Sequence, residues 1–154
     1  VFDLELGLMF LNTGYGKSKV LAVRLDPNAS GEIAESHTVW EEPKRMPNRC
    51  SPILHNGRYY VVTDQGVATS LNAETGEEIW SERISEIPFS ASILLSGDLL
   101  YFFDEGGKGI IIRAADEFEI VAENTLDEGM FASPAVDENA LILRTTSHLY
   151  RVED

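Results

Sequence analysis

Three stretches of this chain line up at intervals of 41 residues. Ser51-Pro52-Ile53 is followed by Ser92-Ile93-Leu94 and then by Ser133-Pro134-Ala135. Tyr60, Tyr101 and Ile142 fall in the same register, as do Val61, Phe102 and Leu143. A period held twice without a gap means that each unit folds alike and meets its neighbours alike, which constrains the chain more than any composition figure.

The interior of one unit shows what folds. Ser51 to Leu54, Arg58 to Asp64, Val67 to Asn72 and Glu77 to Arg83 are short runs rich in β-branched and aromatic residues. His55-Asn56-Gly57, Gln65-Gly66 and Glu74-Thr75-Gly76 separate them with turn residues. Four strands in ~40–45 residues is the length of one propeller blade. The next unit repeats the plan with turns at Ser96-Gly97-Asp98, Glu105-Gly106-Gly107 and Ala115-Asp116-Glu117. Phe118 to Leu126 reads locally as helix, but the repeat register predicts a fourth strand with Phe118, Ile120 and Ala122 on one face.

The ends are less regular. Leu8 to Thr13, Val20 to Leu25 and Thr38-Val39-Trp40 read as the second, third and fourth strands of a first unit without a clear first strand. Insertions at Gly14 to Lys19 and Pro27 to Glu32 lengthen its turns. The last unit reaches only its third strand, Leu149 to Val152. The expectation is an all-β single domain over 1–154, a partial β-propeller with blades near 1–43, 50–85, 91–126 and 132–154. That makes about three to four blades of four-stranded antiparallel sheet, too few for a conventional ring.

Ser70-Leu71-Asn72-Ala73-Glu74-Thr75-Gly76-Glu77-Glu78-Ile79-Trp80 resembles the tryptophan-docking motif of pyrroloquinoline-quinone-like propellers. The resemblance implies blade-docking roles for Ser70, Thr75, Gly76 and Trp80, with Ser70 where an Ala is usual, and for Trp40 in the unit before. In the unit after, Val121 or Ala122 replaces the Trp. More narrowly, Asn12-Thr13-Gly14-Tyr15-Gly16, Ala132-Ser133-Pro134-Ala135 and His148-Leu149-Tyr150-Arg151 resemble the C-terminal half of bacterial quinoprotein-like propellers. That implies a periplasmic or exported protein, although the chain itself carries no signal peptide. In that family the last blade is completed by a strand from the N-terminal end of the full chain, so open edges here imply self-association.

Chemistry is sparsely marked. Twelve basic against 26 acidic residues give a net charge of −14, which repels a phosphate backbone and makes nucleic acid a poor partner. No apolar run is long enough to span a bilayer. The one cysteine, Cys50, precedes an apolar strand and reads as a small core residue. Gly14-Tyr15-Gly16-Lys17-Ser18 suggests a phosphate loop, but a strand follows where such a loop needs a helix. His37, His55 and His148 lack partners at metal-ligand spacing. Asp104-Glu105, and Asp116-Glu117 with Glu119, sit at turns without calcium-loop spacing and read as solvated acids.

No catalytic, cofactor-binding or metal-binding residue is therefore assigned. The expected function is a non-catalytic propeller scaffold or binding module, a piece of a larger propeller with an unassigned protein or small-ligand partner. The alternative is half of a quinoprotein-like dehydrogenase whose pyrroloquinoline quinone and calcium need the missing blades. A third reading is a fragment inert without those blades.

Overall fold

The computed structural model describes residues 1–13, 18–43 and 46–153. Among these, fifteen strands and one four-residue helix form three four-stranded sheets and one three-stranded sheet. The first sheet holds β1 (Phe2–Asp3), β2 (Leu8–Thr13), β3 (Lys19–Arg24) and β4 (Thr38–Glu42), with α1 (Ala34–His37) before β4. The second holds β5 (Ile53–His55), β6 (Arg58–Val62), β7 (Val67–Asn72) and β8 (Glu78–Arg83). The third holds β9 (Leu94–Ser96), β10 (Leu99–Phe103), β11 (Lys108–Arg113) and β12 (Ile120–Thr125). The last holds β13 (Ala135–Asp137), β14 (Ala140–Arg144) and β15 (Leu149–Val152). Every pairing is antiparallel between consecutive strands, as in a propeller blade.

Burial falls on strands two and three of the first three sheets and on β14 of the last, and alternate residues of these strands face the sheets on either side. Phe10, Val20 and Ala22 of the first sheet pack with Tyr59, Val61 and Leu71 of the second. Tyr60, Val62, Ala68 and Trp80 pack with Leu100, Phe102, Ile110 and Ile112 of the third. Phe103 then packs with Leu143, flanked by Tyr101, Leu141 and Tyr150, where the third sheet meets the fourth. Asn56 and Gly57 close the β5–β6 hairpin at φ 49° and 71°, the two positive angles of a type I′ turn.

Two expectations need correction, and one short helix has no counterpart in the sequence reading. The first sheet does have a first strand: β1 pairs Phe2 with Met9 and Asp3 with Leu8. Two residues carry no alternation to read, and Asp3 ends the strand at once by accepting the amides of Glu5 and Leu6 at 2.9 and 3.0 Å. Beyond the lengthened turn at Pro27 to Glu32, α1 forms, and the Thr38 hydroxyl closes it by donating to Ala34 O at 2.6 Å. Finally, Phe118, Ile120 and Ala122 do not share a face. β12 starts at Ile120, and the pairing shifts between Ile111 and Ile112, so Ile120 sits opposite Ile112 and Ala122 opposite Ile111. The extra residue of that bulge, Val121, reverses the alternation.

The same bulge recurs in the earlier sheets. Trp40 lies opposite Ala22 and Thr38 opposite Val23; Trp80 lies opposite Ser70 and Glu78 opposite Leu71. Ala122 is thus the counterpart of both tryptophans, which settles the choice left open between Val121 and Ala122.

Candidate functional site: the blade interfaces and their polar rim

The two tryptophans each reach out of their own sheet. Trp40 donates its indole N–H to Ala73 O of the second sheet at 3.0 Å and packs near Phe10, 5.8 Å between ring centroids. Its ring lies so close to Gly76 that a Cβ there would stand 2.6 Å from it, and Gly76 has φ +77°. Only glycine meets both conditions. Beside it, Thr75 N and Glu74 N donate to Asn72 Oδ1, which holds the turn in place. Trp80 donates to Ala115 O of the third sheet at 3.0 Å and meets Phe118 edge-on at 5.3 Å and Tyr60 at 6.0 Å. Ser70 lies fully buried opposite it. Thr75-Gly76 and Trp80 therefore serve opposite sides of the second sheet. Trp80 touches the 115–118 turn, not the Thr75-Gly76 turn of its own unit.

The register serines connect the sheets as well. Ser51 N donates to Ser92 Oγ at 3.0 Å, and Ser92 N donates to Ser133 Oγ at 3.0 Å. Residues 41 apart thus bond to each other, so the repeat is also a contact map. The sequence showed the spacing but no reason to assign these hydroxyls a role.

Near these serines the β2–β3-type hairpins gather polar groups. Asp64 accepts the Asn48 amide at 3.0 Å and its side-chain nitrogen at 3.1 Å. Arg49 reaches Asp64 at 3.4 Å, Glu105 at 2.8 Å and Ser90 Oγ at 2.6 Å, joining the second sheet to the third. Asp104 is 1% exposed, not the solvated acid expected at that turn. Its carboxylate accepts Gly106 N at 2.9 Å, Lys108 N at 3.0 Å and Ser85 Oγ at 2.7 Å, which compensates its burial. Thr63 and Thr145, 41 residues to either side, occupy the same place and accept the Val67 and His148 amides at 3.1 Å each. Asp116 and Glu119 are paired too, with Arg58 and Arg113 at 2.6 Å each.

Each histidine meets a carboxylate: His37 with Asp26 at 3.7 Å, His55 with Asp98 at 2.8 Å and His148 with Glu128 at 2.5 Å. Ser147 and Glu128 both approach Nδ1 of His148, so this set is no relay, which needs nucleophile and acid on opposite ring nitrogens. Among the described residues no group of three or more His, Cys, Asp or Glu could hold a metal ion. Cys50 is buried, and its thiol is pushed up to about 12 by desolvation first and the Asp64 charge second, so it stays protonated at neutral pH. The phosphate-loop reading falls on Gly14 to Lys17, outside the described residues.

Glu128 supplies a pH prediction. The Thr145 hydroxyl foremost, then Ser147 and His148, lower its carboxyl from 4.5 to about 2. A depressed acid stabilises the fold above its unfolded pKa and loses that contribution as pH falls through the folded value. Amide protection at Thr146 and His148 should therefore decline between roughly pH 4.5 and 2, and Glu128→Gln should remove this component. Equal pH dependence in the two proteins, read by hydrogen exchange, would contradict it.

Comparison with known proteins follows the blade geometry. BamB from Moraxella catarrhalis superposes at TM-score 0.73 and 14% identity, covering 96% of this chain and 43% of BamB. A quinohemoprotein alcohol dehydrogenase from Pseudomonas putida HK5 superposes at 0.67 and 13%, covering 89% and 26%. A europium-containing methanol dehydrogenase superposes at 0.61 and 13%, covering 77% and 23%. At such identities these likenesses show the fold, and this chain spans less than half the length of each. No curated protein matches it by sequence. Residues 14–120 match the family model described as outer membrane protein assembly factor BamB. With its 41-residue repeat and antiparallel four-stranded blades, the chain belongs to that family of pyrroloquinoline-quinone-like propellers.

Proposed function

We propose that this chain is a non-catalytic blade stack that acts as a protein-binding scaffold within a longer propeller outside the cytoplasm. One observation carries the reading: the ionisable groups gathered at the polar rim are engaged across blades, by one another or by hydroxyls. Arg49 spans Asp64 and Glu105, Ser85 holds Asp104, and Thr145 holds Glu128. Such a rim positions blades and offers a shaped surface. The family description, an assembly factor, supports a partner that is a protein. Among the described residues no helix is long and apolar enough to cross a membrane.

Calorimetric titration of the longer propeller that would contain this chain with pyrroloquinoline quinone and calcium tests the reading against a dehydrogenase, whose site would need the other blades. Neither is expected to bind below the micromolar range, and tighter binding of either would overturn it.

The outer faces of the stack point to association. Phe2 and Leu11 on the first sheet and Leu149 on the last are 64%, 40% and 72% exposed. Apolar faces of this kind favour a partner surface. With a net charge of −14 opposing contact between copies, association should grow as salt screens it. Light scattering at micromolar concentration and high salt is expected to show a species larger than 17.1 kDa, most simply a two-fold dimer. A monodisperse monomer under those conditions would remove self-association and leave the scaffold reading standing.

A further inference from the structure

The three blade interfaces are built from the same two rows of side chains, and the third departs from the others most in the polar and aromatic groups of its fourth strand. In one row Phe10, Ala22 and Trp40 lie opposite each other, as do Tyr60, Ser70 and Trp80; the third blade has Tyr101, Ile111 and Ala122. In the next row Asn12, Val20 and Glu42 are followed by Val62, Ala68 and Glu82, and then by Phe103, Gly109 and Asn124. The third interface therefore lacks both the indole and the carboxylate that the fourth strand supplies elsewhere.

A crevice of about 420 Å³ opens there. Small-molecule sites commonly occupy about 300–1,000 Å³. Tyr101, Phe103, Ile111 and Asn124 line it from the third blade, and Leu141 and Leu143 from the fourth. Among the described residues that line it are no Asp, Glu, Lys, Arg or His, in a chain with 26 acidic residues. An ion entering it would lose its hydration without a counter-charge, so the crevice selects neutral ligands. Its walls are two sheets packed face to face, which leaves a flat slot, and its rings offer stacked and edge contacts to another ring. The two sister interfaces show what such a slot accommodates: each holds an indole, with its N–H on a carbonyl of the next blade.

We infer that the crevice between the third and fourth blades binds a small neutral aromatic molecule of one or two fused rings. Tyr101 and Phe103 contact the ring, and the Asn124 amide, on the same face of β12 as Ala122, serves its polar edge. The missing Trp side chain marks the place, and an external ring takes it.

Indole is the probe. Titrated into the ¹⁵N-labelled chain, it should shift amide signals of β10–β12 and β14–β15 with submillimolar affinity. Ala122→Trp, which supplies a ring in cis at an exposed strand position, should weaken binding by at least about tenfold. Asn124→Glu, which restores the charge of the sister interfaces, should also weaken it while leaving the spectrum otherwise that of the folded chain. Indole-3-acetate should bind more weakly than indole. No shift up to the solubility limit of indole, shifts centred elsewhere, or undiminished binding by both variants would overturn the assignment.

Discussion

Replacing Trp80 by alanine should cost about 3–5 kcal/mol of folding stability, the range for a buried large-to-alanine change. Trp80 is only 8% exposed, and its ring fills the space between Tyr60 and Phe118. Alanine removes both ring contacts and strips Ala115 O of its indole donor. Ser70 beneath it is too small to fill the gap, so the two sheets could close it only by moving together. Urea unfolding of the two proteins measures the difference. A loss below about 1 kcal/mol would mean that the second and third blades are held by the strands beneath the indole and not by the indole.

Gly107→Ala should be comparably damaging for a different reason. Gly107 has φ +93°, and a Cβ there would lie 2.2 Å from Glu128 O and 2.6 Å from Leu126 O. Left-handed backbone costs an L-residue roughly 1–2 kcal/mol, and overpacking adds typically 1–3. The obstructing atoms are main-chain carbonyls of the segment leading to the fourth sheet, and Leu126 N is itself bonded to Gly107 O at 2.9 Å. Neither side can yield without breaking that bond. The expected loss is roughly 2–5 kcal/mol, read by the same unfolding experiment, with amide protection lost first at Leu126 and Met130. Gly97→Ala is the control: its Cβ would meet nothing within 4 Å, so only the backbone cost at φ +58° remains. Equal losses in the two variants would show that backbone strain alone, not the close approach, decides the cost.

The parts of the fold legible in the sequence were those that use local chemistry repeatedly. Strands such as Arg58–Val62 and Leu99–Phe103 carry dense aromatic and β-branched residues, and Asn56-Gly57 marks its turn directly. The bulge was not legible, because an inserted Val39, Ile79 or Val121 looks like one more apolar strand residue. Its effect is non-local: it decides which face Ala122 and Phe118 take, and only pairing with β11 reveals it. Asp104 was misread for a related reason. A turn acid is usually solvated, and Ser85, which accompanies its burial, lies 19 residues away. Of the candidate site, Trp40, Gly76 and Trp80 stood out by residue type, whereas Ser51, Ser92 and Ser133 were visible only as markers of register.

Those serines give the molecule a direction. The amides of Ser51 and Ser92 each donate forward to the hydroxyl of the following unit, so the stack is assembled head to tail. A duplicated copy of segment 91–131, inserted in frame, would bring its own serine, accept from the unit before it and donate to the unit after it. Neither neighbour would need a new side chain for that linkage. The number of blades is then a quantity that a recombination event can change in one step, with the linkage chemistry already in place on both sides of the insertion.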